Sequence, residues 1–513
     1  MPRRYILTLV FLGISIFYSS GCVATAKVKK TTHLTPAKEG ILGLTKKKDR
    51  IYSLSSKAYA HYSMGMIYDN EGKSAEAVDE YLKAISFDPK GAPLYYRLGA
   101  SFIKLGKVEP AIQALNKAIE LDKEDTRSKF LLALVYTSQK KYDEATKQYE
   151  EILKSDPDDL GTLTSLADLY ILGQDMDRAI KIYENLAQEK KDSPLIHFNL
   201  GIVYTRAGKI ENAIAELKKA VELKSDYLEA YLALAVLSEI NNKKEEAITH
   251  YKRALELDPQ NTKIYRQLGQ LYFQMNKQDE AVQQYESLLK IDPSDALAYI
   301  ELSYIYLAGS KAADAIEVLK RALLIETKSA AVRLTLGFCY SEKGDKEAAI
   351  EEYKKSIEID PANPKAYFYL GAALDDLGRR QEAISELKHS IELNPLDPEA
   401  LNYLGYIYAE GGKNLDDADR FIKKALEISP ENGAYIDSLG WVYYKKGMFE
   451  DARIQLEKAK GIIGDDPVIY DHLGDVYSKI GDLNKAKEAW EKSLSLKQDE
   501  KVKGKLEALK AGK

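Results

Sequence analysis

The sequence predicts an all-α chain built as a solenoid of helix-turn-helix units. Two observations carry that expectation. A pattern of small, aromatic and alanine positions returns about every 34 residues, the period at which antiparallel helix pairs stack. Within each period apolar residues recur at intervals of three and four, as on a helix face, and no alternating segment is long enough to hold a strand-built domain.

The first unit runs from Tyr59 to Lys90. Met64, Gly65 and Tyr68 fall on one face of a first helix, and Gly72 breaks it. Ala77, Tyr81 and Ala84 fall on one face of a second helix, which Asp88-Pro89 ends because proline cannot continue it. The Gly65 position stays small in every later unit, from Gly99, Ala133 and Ala167 through Ser303 to Gly440 and Gly474. The Ala77 position is alanine throughout, from Ala111 to Ala486. Two helix axes approach closely only where neither carries a bulky side chain, which explains both columns. Gly106, Gly208, Gly344 and Gly447 stand where a helix C-terminus takes a left-handed residue.

These residues together resemble the tetratricopeptide repeat (TPR) signature. About thirteen units cover residues 58–500, and the unit 398–432 carries one extra residue near Gly411-Gly412. The resemblance implies a right-handed superhelical solenoid, closed by a polar capping helix over 501–513, since the last repeat would otherwise expose its apolar face. It also implies that the first helices line a concave groove that binds a protein or peptide. Mapped onto this chain, the groove positions include Phe130, Phe198, Phe273, Tyr304, Phe338 and Phe368. Toward the C-terminus they become aromatic and acidic, with Tyr406, Asp437, Trp441, Tyr444, Asp471 and Asp475. Trp441 replaces small or aliphatic groove residues and is expected to gain nothing for the fold, which marks it as a partner anchor. Trp490, the other tryptophan, takes the core position of Tyr81. The Lys and Asn clamp of TPR cochaperones is not evident, because Tyr62 and Met66 hold its first two places.

Residues 1–22 precede the repeats with Arg3-Arg4, an apolar run from Tyr5 to Phe17 and a small-residue end, the layout of a secretory signal peptide. Ser19-Ser20-Gly21-Cys22 resembles a bacterial lipobox, with Ser19 where that family usually has leucine. The resemblance implies lipidation at Cys22. Val23 in place of aspartate points to the outer membrane, facing the periplasm. Ordinary cleavage nearby and an uncleaved anchor are the alternatives. Residues 23–57 read as a basic flexible linker, with eight basic and two acidic residues across 23–50. That leaves the array and its tail near net −13 within a chain of net −5. The 28 residues of 23–50 would span roughly 30 Å as a coil, either resting on anionic headgroups or acting as a solvated spacer.

Catalytic chemistry is not legible. Gly72-Lys73-Ser74 lacks the first glycine of a phosphate loop, since Ile67 stands there. The six histidines are scattered without metal-ligand spacing, so neither metal nor cofactor is expected. Acidic pairs such as Asp375-Asp376 read as solvated helix faces. A net acidic array offers no face for nucleic acid. Cys339 reads as a small buried hydrophobe. The expected function is non-enzymatic: a lipid-anchored periplasmic scaffold supporting assembly of an envelope machine for pilus, outer-membrane or polysaccharide export. The alternatives are a periplasmic chaperone for unfolded clients and the substrate-recognition subunit of an enzyme complex.

Overall fold

The computed structural model describes residues 55–510. The expected signal segment, Cys22 and nearly all of the basic linker lie outside them. Among the described residues there are 27 helices and no strand. They fall into two compact units divided after Pro259.

The first unit holds α1 (Ser56–Asn70), α2 (Ser74–Phe87), α3 (Ala92–Lys104), α4 (Val108–Leu121), α5 (Thr126–Ser138), α6 (Tyr142–Leu153), α7 (Leu160–Leu172), α8 (Met176–Glu189), α9 (Pro194–Arg206), α10 (Ile210–Leu223), α11 (Leu228–Ile240) and α12 (Lys244–Leu257). The second holds α13 (Thr262–Gln274), α14 (Gln278–Ile291), α15 (Ala296–Ala308), α16 (Ala312–Ile325), α17 (Ala330–Lys343), α18 (Lys346–Ile359), α19 (Pro364–Asp376), α20 (Arg380–Leu393), α21 (Pro398–Glu410), α22 (Leu415–Ile428), α23 (Gly433–Lys445), α24 (Phe449–Ile463), α25 (Pro467–Ile480), α26 (Leu483–Leu496) and α27 (Glu500–Lys510). Up to α26, each odd-numbered helix packs on the even-numbered helix that follows it, forming one repeat.

The two small columns explain this pairing. Every alanine of the Ala77 column is fully buried. The opposing small residue faces a large side chain four residues after that alanine. A Cβ added to Gly269 would lie 2.5 Å from the Tyr285 ring, and one added to Gly99 would lie 2.8 Å from Leu115. The second helix therefore lays a buried Tyr81, Tyr149, Tyr183, Tyr285 or Tyr353 across its neighbour's backbone. Trp490 fills the same place in the last repeat, 4 % exposed.

The turns follow the same economy. Gly72 takes φ +76°, and Lys73 N–H closes on the Tyr68 carbonyl at 2.9 Å. Lys140, Asn242, Asn276 and Ser310 adopt the left-handed conformation in other turns without being glycine, at roughly 1 kcal/mol each. The extra residue of the 398–432 unit is absorbed in the α21–α22 turn, where Gly412 and Asn414 are both left-handed. Asn363, Asp397, Asn432 and Asp466 cap the next helices through their side chains, each worth about 1 kcal/mol. Cys339 is fully buried in α17, and burial pushes its thiol up to about 12, far from thiolate chemistry.

Candidate interaction surface

The second unit carries a line of aromatic rings across four consecutive first helices. Tyr304 on α15, 47 % exposed, lies 6.5 Å from Phe338 on α17. Phe338 lies 5.9 Å from Tyr369 on α19. Phe368, edge-on to Tyr369 at 5.3 Å, reaches Tyr403 on α21 at 5.9 Å. The 34-residue period brings Tyr304 beside Phe338, and a 35-residue step brings Phe368 beside Tyr403, so the repeat itself assembles much of the row. Burial pushes the Tyr403 phenol up to about 12, so it stays protonated. Phe273 on α13 is exposed on the same set of helices, while Phe338 and Phe368 are half-buried.

Phe130 and Phe198 belong to the first unit and are half-buried. Phe130 packs edge-on against Tyr149 at 5.5 Å, and Phe198 against Tyr227 at 5.0 Å. Much of their surface is spent inside the fold.

The aromatic-acidic group is brought together, but in a form the sequence did not suggest. Trp441 on α23 is only 6 % exposed. Its ring lies between neighbours: Tyr444 is stacked at 4.8 Å and His472 of α25 at 4.0 Å. Its Nε1–H donates to Glu410 Oε1 of α21 at 2.5 Å, and the indole belongs to a buried cluster against which Phe368, Tyr403 and Tyr406 pack. This corrects the expectation that the indole gains nothing for the fold. A hydrogen-bonded, stacked tryptophan bridging three consecutive first helices is a wall of the repeat stack, and little of it is left to act as a free anchor.

The carboxylates are likewise spoken for. Asp437 is buried and its Oδ1 lies 3.0 Å from His472 Nδ1. Burial disfavours the charged imidazolium of His472. The Asp437 charge and hydrogen bond, with Asp471 and Asp475 nearby, outweigh burial and hold its pKa above the usual histidine value. Asp471 and Asp475, four residues apart on α25, both accept from Lys505 Nζ of α27, at 2.8 and 2.7 Å. Burial of Lys505 is more than offset by these two bonds, so its pKa is raised. Burial raises the Asp475 carboxyl against the pull of Lys505, and it raises the half-buried Tyr406 phenol. Sequence reasoning missed His472 and Lys505. The available signal was register: Lys505 stands 34 residues after Asp471, one repeat on, inside a segment read only as a polar cap.

A concavity of about 590 Å³ in the first unit is lined by Glu184, His197, Tyr204, Glu216 and Lys219. Its polar groups already serve one another. His197 Nδ1 meets Glu216 at 2.6 Å, its Nε2 meets the Lys191 carbonyl at 2.9 Å, and Lys219 donates to Glu216 at 2.8 Å. The arrangement recurs as His61–Glu80–Lys83 and as Arg333–Glu352–Lys355, spaced four repeats to either side. A triad repeated in register with the helix pairs is a joint between them. Among the described residues no group of three or more His, Cys, Asp or Glu is placed to hold a metal, and no helix is long and apolar enough to cross a membrane.

Comparison with protein-family models matches tetratricopeptide repeat models to residues 58–90, 92–125, 136–200, 203–238 and 240–276. The C-terminal domain of cilia and flagella-associated protein 70 matches residues 259–509. A comparison with curated proteins gives no match. Among solved structures, the APC/C hetero-tetramer Cut9-Hcn1 is similar at 16 % identity and a TM-score of 0.43, over 89 % of this chain and 96 % of that one. The MamA protein is similar at 28 % identity and a TM-score of 0.29, over 33 % of this chain and 92 % of that one. The P58(IPK) TPR domain is similar at 17 % identity and a TM-score of 0.31, over 83 % and 98 %.

Proposed function

We propose that this chain, whose helix pairs are tetratricopeptide repeats, is a lipid-anchored scaffold on the periplasmic side of a bacterial outer membrane. It binds a protein partner on its first-helix face and supports assembly of an envelope machine of the pilus, outer-membrane or polysaccharide-export kind. The observation that carries the reading is the aromatic line from Tyr304 to Tyr403, exposed at its Tyr304 end. Aromatic rings presented on rigid helices are the residue type and setting that dominate protein-protein binding energy. The first helices supply a rigid support, because each is locked to its second helix by the small and alanine columns.

Attachment is supported by the signal-like segment ending in Gly21-Cys22. The basic stretch after it would sit close to the headgroups, where each Lys or Arg adds attraction of about 1 kcal/mol to an anionic surface. Fractionation of cells expressing wild type and Cys22→Ala tests the anchor. Wild type is expected in the membrane fraction with a diacyl mass on Cys22, and the variant in the soluble or unprocessed fraction. An unmodified Cys22, or a mature start elsewhere, overturns the attachment. Affinity capture from detergent-solubilised membranes tests the scaffold: a stoichiometric partner is expected, and a broad set of unfolded clients would instead favour a chaperone.

A further inference from the structure

We propose that the face of α25 and α26 beneath α27 is a docking site for a basic amphipathic helix of a protein partner, and that α27 is its displaceable internal occupant. The inference rests on the interaction-surface reading above and supplies the chemistry of one partner segment. That segment has aliphatic residues at i, i+4 and i+7 with a Lys or Arg at i+3.

The template is α27 itself. Val502 is buried in a cluster that includes Leu473 and Val476 of α25 and Ala489 and Trp490 of α26, Leu509 is half-buried against that cluster, and Leu506 is buried. Lys505 lies between them in sequence and reaches both Asp471 and Asp475. The surface thus pairs an apolar strip with two carboxylates four residues apart, a spacing that one cation can bridge. Lifted off, α27 would leave those carboxylates beside the half-buried Tyr444 without their counter-charge, which is electrostatic complementarity for a basic segment.

The occupant is also built to be weak. It has 11 residues, below the length at which a helix holds itself in water. Gly504 sits at its middle with no atom within 4 Å of the place a Cβ would occupy. Packing therefore does not require glycine there, and alanine would favour the helix by about five-fold. Asp499 caps the start through Lys501 and Val502 N–H at 2.7 and 3.2 Å. What holds α27 down is that cap, its packing along α26, three aliphatic side chains and one lysine.

Hydrogen exchange on the full chain, with and without a synthetic peptide of sequence 498–510 carrying Gly504→Ala, tests this. In the protein alone, α27 amides are expected to exchange at least ten-fold faster than those of α25 and α26. The Gly504→Ala chain should slow α27 about five-fold and leave α25 and α26 unchanged. Saturating peptide should speed α27 exchange in wild type ten-fold or more, and the same peptide with Lys505→Glu should not. If α27 exchanges together with α26 in both chains, or if the peptide leaves α27 protected, α27 is a fixed cap and the proposal fails. Loss of partner capture on altering Tyr304 and Phe338 is a separate result, so failure of either reading can be told from failure of the other.

Discussion

Replacing Trp441 with alanine should loosen the C-terminal repeats before it touches the rest of the second unit. Truncating a buried tryptophan costs about 3–5 kcal/mol from lost burial and the cavity left behind. Two neighbours also lose a partner. Glu410 loses the indole N–H, and His472 loses the ring stacked on it at 4.0 Å. Glu410 is half-buried and water can reach it, so that loss sits near the low end of about 1–3 kcal/mol for an unsatisfied group. A total of about 4–6 kcal/mol is at least a thousand-fold in an opening equilibrium. Coupling in a repeat array is between nearest neighbours, so the change should appear in α21–α26 and fade toward α15. Hydrogen exchange reads the location, and Trp490, the single remaining tryptophan, reads the last repeat by fluorescence. Trp441→Phe, which keeps a ring on His472, should cost far less than the alanine. Exchange in α23 and α25 that changes by less than ten-fold in Trp441→Ala would refute the burial argument and return the indole to the role of a free anchor.

Two further outcomes follow from the same geometry. His472 has a folded pKa raised above its usual 6.5, so its stabilising contribution is fully present below about pH 6.5. That contribution is lost as pH rises through the folded value. Denaturation midpoints of wild type should therefore fall across this window relative to His472→Gln, and parallel pH profiles would contradict it. Ala281, fully buried in α14, should tolerate leucine poorly, at about 1–3 kcal/mol, with exchange rising first in α13–α16; uniform loosening of the unit would count against nearest-neighbour coupling.

The repeat was legible because it is written in residue size. The Gly65 and Ala77 columns each answer one steric demand, so periodicity alone places helices, turns and core. The Tyr304 to Tyr403 row was partly legible for the same reason, since the period carries a residue on one first helix to its neighbour on the next. What could not be read was whether a ring at such a position faces solvent or packs against the next helix. Tyr304 and Trp441 occupy comparable registers, yet Tyr304 is 47 % exposed and Trp441 is 6 % exposed. The difference lies in the following helix, where His472 covers the indole, and in Glu410, which takes its N–H. The acidic positions failed as free sites for a related reason: the counter-charge of Asp471 and Asp475, Lys505, came from a segment read only as a polar cap.

The most direct test of the scaffold is capture of the partner from detergent-solubilised membranes by wild type and by Tyr304→Ala with Phe338→Ala. Circular dichroism serves as the check that both chains are folded. The two rings lie at the exposed end of the aromatic row, and anchors of this type typically cost 2 kcal/mol or more on truncation. Retention of the stoichiometric partner should therefore fall at least thirty-fold in the variant, at unchanged helical content. Equal retention by a folded variant would contradict the account, because the first-helix face would then not be where the partner binds.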